Sequence, residues 1–146
     1  MARNYKQGTY VVKNPDKYMG VSKECTWRSS WELEVMKFFD RNPKVVEWGS
    51  EPFAIEYFDV SRDKKRRYFP DFYVKYIDKE GELVSEVIEV KPIDQVKPPK
   101  KGGKPKTYME AVVTYNTNIS KWNAAHTFCE QRGWRFRIIT ENSIFK

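Results

Sequence analysis

Residues 68–92 read YFPDFYVKYIDKEGELVSEVIEVKP. Two runs within it, Tyr68 to Ile77 and Leu83 to Lys91, are rich in β-branched and aromatic residues and read as strands. Asp78-Lys79-Glu80-Gly81 between them is a turn signal. A three-residue loop, Lys79-Glu80-Gly81, with Gly81 in the left-handed region is a favoured hairpin connection and pairs Asp78 with Glu82. Counting outward, Tyr76 faces Val84, Tyr73 faces Val87, Asp71 faces Glu89 and Phe69 faces Lys91. Opposite residues share a face, so Asp71, Glu89 and Lys91 project from one side. Pro92 stops the ladder. Opposite residues bring Cβ atoms to about 4.5–5.5 Å, where like charges destabilise the pair. A divalent cation between the carboxylates removes that penalty. Lys91, about 6.7 Å beyond Glu89 along the strand, then sits beside the ion. There it orients or helps deprotonate a water, or offsets charge on a phosphate oxygen. The reading depends on register. A two- or four-residue loop would put the acids on opposite faces, leaving Asp71 a strand-edge acid and Glu89-Val90-Lys91 an ordinary exposed face. Acid-x-Lys is also a common pattern. Asp63-Lys64-Lys65 carries it and Pro15-Asp16 repeats the Pro-Asp, but both lie in polar segments without strand character.

Upstream of the hairpin, Trp31, Val35, Phe38 and Phe39 recur at helical spacing, and residues 30–41 read as an amphipathic helix. Ser29 with Glu32 fits a capping box, and Asn42-Pro43 ends the helix. Residues 51–58 (EPFAIEYF) read as a further strand. The run 61–67, SRDKKRR, holds five basic residues and one acid. Downstream, residues 97–106 (KPPKKGGKPK) carry five Lys, three Pro, two Gly and no acid, which makes a flexible basic loop. From Tyr108 the chain reads as helix, with Val112, Tyr115, Ile119, Trp122 and Cys129 on one stripe. Asn116-Thr117-Asn118 weakens its middle. Gly133 suits a helix end, and Trp134 to Ile139 alternates as a strand. The order helix–strand–strand–strand–helix–strand makes an α/β domain with a small mixed sheet. Residues 1–28, polar and basic with Tyr5, Tyr10 and Tyr18, read as an N-terminal arm packed on or extending from a domain of residues 29–146.

The chain has 146 residues, close to one domain, and a formal net charge of +7. Aromatic residues make up 16 % of it, enough to fill a core and unlike a disordered chain. No run of apolar residues exceeds three, which argues against a bilayer span, and the first twenty residues lack the apolar stretch of a signal peptide. Two cysteines, Cys25 and Cys129, and one histidine argue against a zinc site or a disulfide scaffold. A soluble intracellular domain with a basic surface is expected. Arg62, Lys64, Lys65, Arg66 and Arg67 lead into the Asp71 strand, and Lys97, Lys100, Lys101, Lys104 and Lys106 follow the Lys91 strand. A nucleic-acid backbone crossing the carboxylates would meet cations on both sides, in contacts that are sequence-independent and salt-sensitive. The competing reading of these clusters is a solvated charged surface.

Pro70-Asp71 on one strand, Glu89-Val90-Lys91 on the next, and the order of elements resemble the PD-(D/E)xK nuclease superfamily and its restriction-endonuclease-like core. Further segments narrow the resemblance: NPDKY at 14–18, WRSSWE at 27–32, RYFPD at 67–71, IEVKP at 88–92, Lys121-Trp122 and CEQRGWRFRIITE at 129–141 are similar to the head-completion nucleases of tailed myophages. The resemblance implies that Asp71 and Glu89 are metal ligands, with the Val90 carbonyl as a third oxygen. It implies that Lys91 is the catalytic lysine and that Glu32 is the helix glutamate completing the site, alongside its capping role. Lys121 and Asn118 fall on the helix that often flanks the cleft, Lys121 being a candidate DNA contact and core-edge roles the alternative. His126 reads as an ordinary helix residue. The implied activity is a magnesium-dependent DNA endonuclease, with manganese substituting, acting on packaged DNA or DNA ends. The implied setting is the host cytoplasm during assembly or the virion, with phage portal or neck proteins as partners. Two alternatives share the residues: a non-enzymatic DNA-binding component of the phage head or neck, and a transposon-end or repair nuclease.

Overall fold

A computed structural model describes residues 7–144. Its elements are β1 (Gly8–Val11), a 3-10 turn (Pro15–Lys17), β2 (Glu24–Trp27), α1 (Ser30–Arg41), β3 (Val45–Ser50), β4 (Ile55–Asp59), β5 (Lys64–Tyr68), β6 (Phe72–Ile77), β7 (Leu83–Val90), α2 (Ile93–Val96), α3 (Pro105–Glu130), β8 (Arg135–Ile139) and α4 (Glu141–Ile144). The central sheet has the order β3-β6-β7-β8. β3, β6 and β7 are antiparallel neighbours, while β8 joins β7 in parallel after the long α3 crossover. The molecule is thus a mixed α/β domain with a mixed sheet; α1, the central strands β3, β6 and β7, α3 and β8 keep the expected helix–three strands–helix–strand order, and the ribbons β1–β2 and β4–β5 are additions to it.

The hairpin register is the expected one. Tyr76 pairs with Val84, Tyr73 with Val87 and Phe72 with Ile88. Gly81 takes φ 79°, and the Gly81 N–H donates to the Asp78 carbonyl at 3.0 Å, closing the three-residue loop. Alternation along the hairpin sorts the two faces of the sheet. Phe72, Val74, Ile88 and Val90 enter the large core with Val35, Met36 and Phe39 of α1 and Trp48 of β3. Tyr73 and Val87 turn the other way, onto Cys129 of α3.

α1 starts and stops where the sequence places it. The Ser29 hydroxyl accepts from the Glu32 N–H at 3.1 Å and donates to the Glu32 carboxylate at 3.3 Å. Its stripe differs in one position: Phe38 is 56 % exposed and Met36 is fully buried instead. The strand expected at 51–58 divides differently. The core strand is β3, which ends where Glu51 adopts φ 45° and Pro52 follows. Residues 55–59 instead pair with 64–68 in a separate two-stranded ribbon, so the basic run is itself partly a strand. That ribbon packs on α3, with Ile55, Tyr57 and Tyr68 meeting Ala125.

α3 runs through Asn116-Thr117-Asn118 without a break. Thr117 and Asn118 are buried, and the Thr117 hydroxyl donates to Asp59 of β4 at 3.1 Å. A tertiary partner thus overrides weak local propensity. Residues 8–27 carry the antiparallel pair β1–β2, and Tyr10, Val12 and Cys25 enter the α1-side core. Tyr5 lies outside the described residues, as do the outer ends of the two segments 1–28 and 29–146. Among the described residues no helix is long and apolar enough to cross a membrane.

Candidate nuclease site

β6 begins just after Asp71 and β7 ends just before Lys91, so the hairpin delivers both to the same edge. Asp71 Oδ2 accepts from the Val90 N–H at 2.8 Å, a bond that crosses from one strand to the other beyond the regular ladder. Glu89 lies opposite Asp71 and is buried. Its Oε1 accepts from the Tyr68 hydroxyl at 2.6 Å, and Lys91 Nζ stands 3.8 Å from its Oε2. Glu89 faces the α3 side of the sheet, as Tyr73 and Val87 do, next to Tyr68 and Lys121.

A buried Glu89 and a half-buried Asp71 at facing positions cannot both be comfortably ionised. Burial first, and then the Glu89 charge, push the Asp71 carboxyl well above the usual range, against the Val90 N–H and the Lys91 charge. Burial also raises Glu89, which the Tyr68 hydroxyl, Lys91 and Lys121 pull back down. Burial lowers the Lys121 ammonium, and the Glu89 charge opposes that shift. Lys121 projects from α3 over the Tyr68 ring at 5.7 Å. Strong desolvation with specific charge partners marks a candidate functional site.

Glu32 enters from α1. It lines one open cleft with Arg28, Trp31, Val90, Lys91 and Gln95. Burial raises its carboxyl, and its charge acts on Asp71. Among the described residues no three His, Cys, Asp or Glu side chains form a group poised to hold a metal. The oxygen groups brought to this edge are the carboxylates of Asp71 and Glu89. Hard oxygen donors of this kind suit a hard divalent cation that keeps several of its waters.

The basic residues divide into two groups. Arg62 and Arg66 both reach Asp59, a fully buried carboxylate, at 3.0 and 3.3 Å. Arg62 also donates to the Thr117 hydroxyl at 2.6 Å. Burial alone would raise Asp59; the bonds from Arg62 and Thr117 and the guanidinium charges outweigh it, and the carboxyl is held below its usual range. Arg62 thus ties the ribbon to α3, while Arg66 joins β5 to β4 within the ribbon. Lys64, Lys65 and Arg67 are exposed on β5, and Arg67 lies over the Phe69 ring at 5.3 Å. Lys97, Lys100, Lys101, Lys104 and Lys106 are exposed between α2 and the start of α3. Asn118 is buried, and His126 is an exposed helix residue paired with Glu130 at 3.1 Å.

Sequence reasoning gives Tyr68 no role at the site: it reads as the first residue of the strand ending at Ile77, whereas it ends β5 and reaches Glu89 from there. Sequence reasoning also missed Arg28, which no motif of the hairpin touches. The sequence itself is similar to known proteins. Residues 42–141 match the model of the family described as TnsA-like endonuclease N terminal. That span contains Asp71, Glu89 and Lys91, and Glu32 lies upstream of it. Over 142 residues the chain is 39 % identical to the head completion nuclease of Enterobacteria phage T4, an alignment covering 94 % of this chain and 92 % of that protein. With the family model spanning more than half of the chain, and the acids and lysine inside the matched span, this chain belongs to the TnsA-like endonucleases.

Proposed function

We propose that this nuclease is a magnesium-dependent DNA endonuclease that hydrolyses phosphodiester bonds during phage head completion. Its substrate is packaged DNA or DNA ends, read through the backbone with little sequence preference. The observation that carries the reading is the carboxylate pair Asp71–Glu89, facing across the hairpin with Lys91 at 3.8 Å from Glu89. The identity to a head completion nuclease over nearly the whole chain supports the biological setting. That setting is the host cytoplasm during assembly, or the virion, with portal or neck proteins as neighbours.

Asp71, Glu89 and the Val90 carbonyl are the groups that would hold magnesium, or manganese in its place. When bound, such an ion neutralises phosphate charge and makes water a better nucleophile at neutral pH. The chain's own groups do the rest. Tyr68 fixes the Glu89 carboxylate by donating to Oε1, leaving Oε2 toward Lys91. Lys91 places a cation where charge builds on the non-bridging phosphate oxygens and orients the attacking water. Water adds to phosphorus, the bridging P–O bond breaks, and the departing oxygen takes up a proton. Glu32 lines the cleft from α1 as a further acceptor for a water proton. Lys121, with the lysines of 97–106 and the exposed cations of β5, draws the DNA backbone in.

The decisive assay offers supercoiled and linear DNA to wild type with magnesium, to wild type with EDTA, and to folded Asp71→Asn. Cutting that needs magnesium and is lost in Asp71→Asn is expected. Well-folded wild type that binds DNA and does not cut it would replace this reading with a structural DNA-binding role.

A further inference from the structure

The cleft that holds Glu32, Val90 and Lys91 has a cation on its wall that the scheme above does not use. Arg28 is the single residue between the end of β2 at Trp27 and the helix cap Ser29. Its backbone is therefore fixed from both sides, and its N–H points to Glu32 Oε1 at 3.5 Å. Its guanidinium pairs with Glu51 at 3.0 Å, with the Arg28 side chain 55 % and the Glu51 side chain 38 % exposed. Glu51 is itself pinned to the site. It takes φ 45°, an unusual conformation for a residue with a side chain, and its N–H donates to the Asp71 carbonyl at 3.0 Å.

Resting on the nuclease reading, we propose that Arg28 is a phosphate-binding residue of the catalytic cleft, parked on Glu51 in the DNA-free molecule and exchanged onto a phosphodiester oxygen when DNA enters. The charges of Glu89 and Glu32 both act on Asp71, so a phosphate brought beside Asp71 needs cations on more than one wall. Lys91 and Lys121 stand beside Glu89, and Arg28 lines the wall that carries Glu32. An exposed ion pair contributes little to stability, so its exchange for a phosphate costs little. The planar guanidinium fork matches two phosphate oxygens as well as it matches a carboxylate. Glu51 keeps the fork beside Asp71 until that exchange.

The competing account makes Arg28–Glu51 a static strut between α1 and the Asp71 turn. DNA affinity separates the two. Duplex binding is measured by fluorescence anisotropy in EDTA across a salt series for wild type, Arg28→Gln, Glu51→Gln and the double variant, with Tm recorded for each. Arg28→Gln is expected to bind about tenfold more weakly, with the log–log salt slope reduced by about one. Glu51→Gln is expected to bind several-fold more tightly, because the guanidinium is released. The double variant is expected to bind like Arg28→Gln alone. Equal tightening by Glu51→Gln in both backgrounds would mean simple removal of a negative charge and would overturn the proposal. So would unchanged binding by Arg28→Gln, or weaker binding by Glu51→Gln with a lowered Tm. Wild-type binding and magnesium-dependent cutting in the same series report on the nuclease reading itself. If they hold while the Glu51 comparison fails, only the role of Arg28 falls; if the wild type neither binds nor cuts, both fall.

Discussion

Asp40 is buried and Asp71 half-buried, and their surroundings treat the negative charge in opposite ways. Asp40, fully buried near the end of α1, accepts from the Tyr10 hydroxyl at 2.5 Å, from the N–H groups of Lys13 and Asn14 at 2.8 and 3.0 Å, and from the Asn14 side chain. Burial opposes ionisation there, yet these donors outweigh it and hold the carboxyl below its usual range. Asp40→Asn replaces one acceptor oxygen by a donor and leaves buried donors without a partner. A loss of about 2 kcal/mol in urea unfolding is expected; an unchanged midpoint would show that the segment from Tyr10 to Asn14 is not fastened by this carboxylate. Asp71 has one backbone donor and faces another acid. Tyr68 is the residue that keeps that second acid in place. Tyr68→Phe keeps the ring and its packing while removing the bond to Glu89. Magnesium-dependent cutting is expected to fall roughly tenfold, the low end for partners that orient metal ligands. The magnesium concentration for half-maximal rate is expected to rise with it. Loss of rate at unchanged magnesium dependence would assign Tyr68 to the chemistry rather than to holding Glu89.

At the level of elements, the site was more legible than the sheet around it. The hairpin register follows from one glycine and a count of three loop residues, so Asp71, Glu89 and Lys91 could be placed together from the sequence. β3 was not legible, because Val45–Ser50 is short, carries Glu47 and Gly49, and stops at a backbone turn that no Gly marks. β5 was hidden by its composition. The inner partners of a ribbon strand are expected to be apolar, and here Arg66 meets a buried carboxylate instead. The same fact divides the basic run by function. All five cations are exposed, but Arg62 and Arg66 pair with Asp59, and Arg62 also ties the ribbon to Thr117 of α3. Arg62→Gln is therefore expected to lower Tm, since it weakens the pairing of a buried charge. Lys64→Ser, Lys65→Ser and Arg67→Ser together are expected to leave Tm nearly unchanged and to reduce the salt slope of DNA binding. Replacing Lys97, Lys100, Lys101, Lys104 and Lys106 by Ser is expected to weaken DNA binding and flatten its salt slope in the same way. Anisotropy across a salt series measures both; unchanged slopes would make these cations a solvated surface.

Across the whole molecule, the two kinds of acid set opposing responses to pH. Asp40 and Asp59 have folded values below the ordinary carboxylate range. The stability they contribute is fully present above the unfolded value, near pH 4, and is lost as pH falls through the folded values. Glu32, Asp71 and Glu89 have folded values above that range. Their charged forms cost the folded state stability at neutral pH, and that cost is relieved as pH falls from the folded values toward the unfolded ones. Metal-free protein is therefore expected to gain stability on mild acidification, as the site takes up a proton, and to lose it below about pH 4, as the two latches give way. Asp71→Asn removes one charge of the repelling pair and retains an oxygen for the Val90 N–H. In EDTA at pH 7 it is expected to melt above the wild type, each kcal/mol being worth roughly 2–4 °C in a chain of this size. Its gain on mild acidification is expected to be smaller. Magnesium is expected to raise the wild-type Tm by binding the folded state and to leave Asp71→Asn nearly unmoved. Under the proposed function the carboxylate pair is a local instability kept for a cation, and Asp71→Asn is expected both to lose cutting and to melt higher. A lower Tm for Asp71→Asn at pH 7, or an equal response of both proteins to magnesium, would mean that the pair is an ordinary buried contact of the hairpin and that the ion, if any, binds elsewhere.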